Sequence, residues 1–241
     1  MSKILVLADS GFGKTTSLME DEELGIEGLN PDESYIISVT SKPLPGRGSR
    51  TKFPATKTFN TASTSADLKD YRRVITNSPA VVAHAIELLG QSPFKNIVLD
   101  DTNYLMQDYY MAKALSSGWD TPKRIGFDMG KIFTAIEALP EDKNFIMLAH
   151  GEEYDKVDGR KGYRMKTTGK MVQEYITPEG KFDVVLIGRS SFDETAKKPK
   201  KEFVTNDDGV YTTAKSHRIF DQLYIPNDMG YVIKKVNEYY G

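Results

Sequence analysis

Cysteine is absent from the 241-residue sequence. Disulfides, thiolate zinc sites and cysteine nucleophiles are therefore excluded, and the composition fits a reducing, intracellular setting. Long apolar runs are also missing. Stretches such as residues 4–8 and 97–99 are strand-sized, whereas a membrane-spanning helix needs about 20 apolar residues. We expect no membrane span and, because a strand is predicted to begin by Lys3 and leaves no room for a secretion signal, a cytoplasmic protein.

The sequence also lacks a strong excess of charge of either sign. Its formal net charge is -2, so no global positive field indicates a nucleic-acid partner, and a polyanion site must depend on a local patch. Hydrophobic residues make up 39% of the chain and charged residues 27%, which is ordinary for a soluble domain with a continuous core. We find no internal repeat.

Apolar runs of strand length alternate with helical patterns in the first 150 residues. This alternation predicts an α/β fold with a mostly parallel central sheet and helices on both faces. Strands are predicted at 3–8, 35–39, 71–76, 96–101 and 144–150, and helices at 14–20, 80–89, 102–115 and 121–139.

After residue 150 the pattern changes to short strands and turns. We predict a loop or hairpin at 155–170, an antiparallel extension of the sheet from 182–187 and 202–205, and a last helix at 229–239. We therefore expect a single domain, 1–241, with a core at 1–150 and a β-rich C-terminal extension at 151–241.

A phosphate-binding loop follows the first predicted strand. The sequence Ala8-Asp9-Ser10-Gly11-Phe12-Gly13-Lys14-Thr15 fits the Walker A spacing, with Ala8 in place of the first glycine. Glycines let backbone N–H groups approach phosphate oxygens, and a following helix would add its dipole. We predict that residues 9–16, including Thr16, bind ATP, that Lys14 reaches the β and γ phosphates, and that Thr15 ligates Mg²⁺. The alternative is a glycine-rich turn that binds nothing.

Two carboxylates end the apolar strand at 96–101, as in a Walker B motif. Asp100 is the predicted Mg²⁺ partner, and Asp101 is the candidate to orient the attacking water. Asp101 could equally serve as the N-cap of the helix that begins near Thr102.

His150 ends the next predicted core strand and would emerge beside the γ phosphate. There it could sense the nucleotide state, although a histidine at a strand end is also commonly a hydrogen-bonded filler. Glu152 is a lesser candidate for the general base.

With these strands placed, the chain resembles the small phage-encoded AAA-type ATPases of the RecA-like group, related to Sak-type single-strand annealing proteins. The segments that carry the resemblance are residues 7–17, Gly28-Leu29-Asn30-Pro31, Lys42-Pro43-Leu44-Pro45, Val98-Leu99-Asp100-Asp101, Ala149-His150 and Thr213-Ala214-Lys215. The resemblance implies a RecA-like fold and ATP-dependent work on single-stranded DNA in phage recombination or replication, in the host cytoplasm.

The same resemblance implies a ring or filament in which one subunit completes its neighbour's site with a basic residue. Lys215 and Arg218 are the candidates. The usual spacing of such a pair is K-x-R, whereas two residues separate Lys215 from Arg218 here, and both could simply be solvated side chains on a surface turn.

Two basic stretches are candidate contacts for single-stranded DNA. They are residues 42–57 and 160–170, the second with Tyr163 available for base stacking. Residues 197–201 are interpreted as a hairpin tip, and charge runs of this kind are more often solvated faces.

Three functions stay open. The first is an Mg²⁺-dependent ATPase coupled to single-stranded DNA. The second, favoured by the lack of a Glu after Asp100, is a nucleotide-gated assembly module with little hydrolysis. The third is a nucleotide or small-molecule kinase, against which stands the lack of an Arg-rich lid.

Overall fold

The protein is built around one nine-stranded sheet. A computed structural model describes residues 2–114, 120–156, 159, 161–194 and 197–241. The strands are β1 (Ser2–Leu7), β2 (Ser34–Ser38), β3 (Ala55–Thr56), β4 (Arg73–Ile75), β5 (Asn96–Asp100), β6 (Asn144–Ala149), β7 (Gly151–Asp155), β8 (Lys161–Met165), β9 (Val184–Asp193), β10 (Lys198–Val204) and β11 (Tyr224–Pro226).

The strand order is β11-β10-β9-β1-β6-β5-β2-β4-β3, and β7 and β8 form a separate hairpin. From β9 to β3 every pairing is parallel, whereas β10 pairs antiparallel with β9 and β11. The predicted fold class is confirmed: a mostly parallel central sheet flanked by helices, with antiparallel strands contributed by the C-terminal part.

The helices are α1 (Ser49–Lys52), α2 (Pro79–Gly90), α3 (Asn103–Ala112), α4 (Asp120–Glu137), α5 (Met171–Tyr175) and α6 (Met229–Tyr240), with 3-10 turns at Thr16–Leu18, Ser65–Leu68 and Pro178–Lys181. Residue 115, predicted to end a helix, lies outside the described residues. None of the described helices is long and apolar enough to cross a membrane.

The core lies on both faces of the sheet because successive strand residues point to opposite sides. Leu5 and Leu7 belong to the cluster that includes α2 and α4, whereas Ile4 and Val6 belong to the cluster that includes α6. Every side chain of β6 is buried, as expected for a strand covered on both faces.

One strand differs from the sequence prediction. The two segments expected in an antiparallel extension, 182–187 and 202–205, do meet in an antiparallel pair, with Ile187 opposite Val204. However, β9 also lies directly beside β1 and runs parallel to it, with Val184 opposite Ile4, which the sequence did not predict. Its first four residues are apolar and buried, which is typical of a central parallel strand. The central sheet therefore takes strands from both sides of residue 150.

The helix predicted at 14–20 is also wrong. Only the 3-10 turn Thr16–Leu18 forms, and Met19 is already extended. Thr15, Thr16 and Ser17 are poor helix formers, and the Ser17 hydroxyl donates to the Lys14 carbonyl at 2.6 Å, so side-chain hydrogen bonds compete with helix propagation.

Candidate phosphate-binding site

A cavity of about 310 Å³ lies where the loop after β1 faces the ends of β5 and β6. In an open α/β sheet, ligands bind at the carboxyl ends of the strands. The cavity is lined by Ser10, Gly11, Gly13, Lys14, Thr15, Thr16, Thr40, Lys42, Pro43, Leu44, Pro45, Arg73, Asp100, Asp101, His150 and Lys201. Four cations therefore face two carboxylates, which suits an anionic ligand although the whole chain has a net charge of -2.

The loop has the backbone that its glycines predict. Gly11 and Gly13 have φ angles of 80° and 102°, in the region that only glycine adopts freely. Of the predicted ATP-binding residues 9–16, all but two line the cavity.

The two exceptions, Asp9 and Phe12, fix the loop to its surroundings. Phe12 is buried against Phe203 with 5.9 Å between ring centroids, and Asp9 accepts a hydrogen bond from the Tyr163 hydroxyl at 3.1 Å. Gly188 of β9 also lies close, since a Cβ there would come within 2.5 Å of the Ala8 Cβ.

Because the loop ends in a single 3-10 turn, it gains little from a helix dipole, which requires several aligned peptide units. Any phosphate must therefore depend on loop N–H groups and on side-chain cations. This requirement gives the three cations beyond Lys14 a clear physical role.

Lys14 lies folded against the loop. Its Nζ donates to the carbonyls of Ala8 and Asp9 at 2.8 and 3.0 Å and lies 3.3 Å from His150 Nδ1. Burial lowers the pKa of Lys14 to about 8, although Asp101 and Asp100 favour its charged form. An incoming phosphate would offer this ammonium a stronger acceptor than the two carbonyls.

His150 connects the loop to the following hairpin. Burial, and then the charge of Lys14, lower the pKa of His150, so the imidazole is neutral at pH 7 and its Nδ1 can accept from Lys14. Its backbone N–H donates to Asn103 Oδ1 at 2.5 Å. His150 lines the cavity beside Lys14, and its role as a sensor stays a prediction.

Thr15 and Asp100 meet at the predicted metal position. The Thr15 hydroxyl lies 3.1 Å from both carboxylate oxygens of Asp100. Burial, and then the charge of Asp101, raise the pKa of Asp100 to about 6, although the Thr15 hydroxyl and the charges of Arg73 and Lys14 favour its ionised form. Mg²⁺ binds through few protein oxygens together with phosphate oxygens and water, so this pair fits it, although the described residues contain no cluster of three or more acidic or histidine ligands.

Asp101 faces the cavity in a strained backbone conformation, with φ of 63°. Its carboxylate accepts from the Thr40 hydroxyl at 2.7 Å and lies 3.5 Å from Lys42 Nζ. The alternative role of Asp101 as a helix N-cap is wrong: Thr102 occupies the N-cap position, and no side chain caps that helix.

Sequence reasoning missed two cavity cations. Arg73 belongs to no recognisable sequence motif, and its buried position depends on the pairing of β4 with β2. Lys201 was assigned to a hairpin tip, but it lies within β10, and its Nζ donates to the Gly11 carbonyl at 2.8 Å. Only the position of β10 beside β9 reveals that Lys201 reaches the loop.

Lys215 and Arg218 do not line the cavity. Lys215 is half-buried, and its backbone pairs with Val185 of β9, whereas Arg218 is exposed with φ of 66°. A residue that acts on a neighbouring subunit must lie away from its own site, so their role stays a prediction.

The structure corrects part of the prediction that two basic stretches, 42–57 and 160–170, contact DNA. Tyr163 is buried, donates to Asp9 and packs edge-on against Tyr211, so it is not available for base stacking. Residue 160 lies outside the described residues. In the other stretch, Lys52 pairs with Glu20 and Arg47 with Glu23, while Arg50 and Lys57 are exposed.

Comparisons with known proteins add a distant structural likeness. No family model matches the chain, and no curated protein matches it. Among solved structures, the chain is similar to a KaiC-like protein from Pyrococcus horikoshii OT3, with 14% identity, a TM-score of 0.42, and coverage of 84% of this chain and 77% of that one. A likeness at this level assigns no function, so the functional argument depends on the site itself.

Proposed function

We propose that this protein binds ATP with Mg²⁺ and hydrolyses it. The observation that carries the proposal is the contact between the Thr15 hydroxyl and the buried Asp100 carboxylate, 3.1 Å apart, beside the glycine-rich loop. These are the two groups that hold Mg²⁺ in P-loop NTPases, and here Thr15 from the loop after β1 meets Asp100 at the end of β5.

The chain's own residues would bind and orient the triphosphate. Loop N–H groups and Lys14 would hold the β and γ phosphates, and Thr15 and Asp100 would hold Mg²⁺, which supplies charge neutralisation when bound. Asp101, at the cavity wall, would orient the attacking water, while His150 would respond to the terminal phosphate through Lys14.

The test is nucleotide binding by Lys14→Ala. Loss of the ammonium should weaken ATP binding at least tenfold and abolish phosphate release, because one of the main charges on the β and γ phosphates is removed. Calorimetry and steady-state phosphate release measure the two effects. Lys234→Ala, at an exposed position on α6, is the control. Unchanged binding in Lys14→Ala would contradict the assignment of the loop.

A nucleotide-gated module with little hydrolysis is the second candidate. The observation that favours it is that two acidic residues near the site are already held by other side chains. Asp101 is held by Thr40 and Lys42, and Glu152 is paired with Arg164 at 3.0 Å. Tight ATP binding without phosphate release would support this function over hydrolysis.

We further propose that the ATPase works as a homo-oligomeric ring or filament on single-stranded DNA, in phage recombination or replication. Exposed Arg50 and Lys57 support a DNA contact, since phosphate binding requires unpaired surface cations. Phosphate release should rise when single-stranded DNA is added, and the stimulation should weaken with salt. No change in rate with DNA would contradict this part of the proposal.

A further inference from the structure

Arg73 is a buried cavity cation to which the proposed function assigns no specific phosphate. It begins β4, the residue is only 6% exposed, and it lines the cavity. Among the described residues no carboxylate forms a salt bridge with it, although Asp100 and Asp101 are near enough to influence its charge. Burying a charge that forms no direct ion pair is costly, so an anionic ligand in contact with Arg73 would offset part of that cost.

The donors of Arg73 divide into two sets. Nε donates to Ser38 Oγ at 2.8 Å, and Nη2 donates to the Lys42 carbonyl at 2.7 Å, which fixes the guanidinium plane. Nη1 has no acceptor among the described residues and is not sealed from solvent. Arg73 lines the phosphate-binding cavity and also a second cavity beside it, with Arg50 and Lys57. The guanidinium is thus held through Nε and Nη2, and Nη1 remains able to donate to a ligand.

The strand order decides which part of a nucleotide Arg73 can meet. The phosphate-binding loop follows β1, Asp100 ends β5 two strands away, and Arg73 comes from β4, beyond β2. Arg73 therefore approaches the cavity from the wall opposite the loop, with Asp100 between them. A triphosphate held by the loop, with its metal at Thr15 and Asp100, would present its last phosphate to that wall.

We propose that Arg73 binds the terminal phosphate of the bound nucleoside triphosphate and is supplied by the same subunit. This inference rests on the proposed nucleotide binding. Guanidinium groups bind phosphate oxygens with paired, charge-assisted hydrogen bonds, and an arginine at the transferred phosphate also stabilises the charge of the transition state. Arg73 would then distinguish a triphosphate from a diphosphate.

The experiment compares ATP and ADP affinity in Arg73→Gln, Arg73→Lys and a neighbouring control. Arg72→Gln is the matched control, because Arg72 donates to the Lys69 and Tyr71 carbonyls and packs over Phe94, away from the cavity. In Arg73→Gln, ATP affinity should fall at least tenfold and ADP affinity less than threefold. Arg73→Lys should restore part of the ATP affinity, and phosphate release should fall about 100-fold in Arg73→Gln.

A structural role gives a different result, because Arg73 also holds the Thr40 to Lys42 turn through backbone carbonyls. Equal loss of ATP and ADP affinity, or no loss of either, would overturn the inference. If Arg73→Gln does not fold, the ratio of ATP to ADP affinity in Arg73→Lys decides in the same way. If the unsubstituted protein binds neither nucleotide, the proposed function itself fails, which is a distinguishable outcome.

Discussion

At the scale of single residues, the cavity combines groups whose protonation is shifted in opposite directions. Burial makes Lys14 less basic and Asp100 less acidic than the free amino acids, and each shift brings the pKa closer to neutral pH. Such shifts are common at functional sites, where buried ionisable groups face charged ligands.

The lowered pKa of Lys14 predicts a pH dependence of nucleotide binding. Below pH 8 the ammonium is charged and can hold phosphate, whereas above it the neutral amine cannot. Between pH 7 and 9 the charged fraction falls about tenfold for a pKa of about 8, so ADP affinity measured with a metal chelator should fall about tenfold. Asp100, with a pKa of about 6, stays ionised over this interval.

Lys14→Arg is the control for that titration, because a guanidinium stays charged throughout this interval. Its affinity, even if weaker overall, should be independent of pH from 7 to 9. The explanation through Lys14 fails if both proteins lose the same affinity, or if neither does.

Much of the site could be predicted at this scale, and the rest could not for a physical reason. Lys14, Thr15 and Asp100 belong to local motifs whose spacing already determines their chemistry. Arg73 and Lys201 act through strand pairing and have no local signature, so only the assembled sheet reveals them. Tyr163 shows the reverse case, since an aromatic residue in a basic stretch suggested base stacking but is buried beside Asp9.

At the scale of secondary-structure elements, the short turn after the loop is held by a distant helix. Asp228 caps α6 by accepting from the N–H groups of Gly230 and Tyr231, and it also accepts from those of Glu27 and Gly28. Next to it, Asn227 Nδ2 donates to the Gly13 carbonyl at 3.1 Å. The start of α6 therefore fixes both the loop and the segment that follows it.

Replacing Asp228 with Ala should destabilise the protein by about 2 to 4 kcal/mol, because a helix cap and the acceptor of a buried N–H are lost together. Urea denaturation followed by circular dichroism measures the change. Asp228→Asn keeps one acceptor and should lose less.

A matched comparison is Asp67→Ala, which removes an exposed capping carboxylate from the Ser65–Leu68 turn. This substitution should cost less than Asp228→Ala, since water can satisfy the released N–H and hydroxyl of Thr64. If the two Ala variants unfold at the same urea concentration, the central role of Asp228 is contradicted.

Sequence reasoning succeeded for the elements with strong periodicity and failed where hydroxyl side chains intervene. The predicted helix near 80–89 matches α2, with Ser78 as N-cap and Pro79 at the first position. Of the helix predicted from Lys14 only a 3-10 turn forms, because hydroxyl side chains compete for backbone hydrogen bonds, as Ser17 does by donating to the Lys14 carbonyl.

At the scale of the whole molecule, the loop follows β1 of the mostly parallel sheet, and Lys215 is bridged to Val185 of the neighbouring strand β9. If Lys215 completes a neighbour's site, turnover per subunit should fall on dilution below the assembly concentration. Lys215→Ala should lower turnover at least tenfold and leave ATP affinity unchanged. Phosphate release over a dilution series measures this effect.

Lys234→Ala serves again as the control, and it should follow the unsubstituted protein at every dilution. A turnover per subunit that is constant over the series would contradict a contribution from the neighbour. Arg73, acting within its own subunit, should affect ATP affinity at every concentration, so the same series separates the two residues.

The position of β1 inside the sheet also bears on how the protein is made. β1 is translated before its two neighbours, β6 and β9, which lie at Asn144–Ala149 and Val184–Asp193. Contacts between such distant segments form slowly, because the intervening chain must first be brought together. A ribosome-bound chain that stops short of β9 would expose one edge of β1 and leave Phe12 without Phe203. Such an intermediate should be prone to aggregation and unable to gain stability from ATP in the cell.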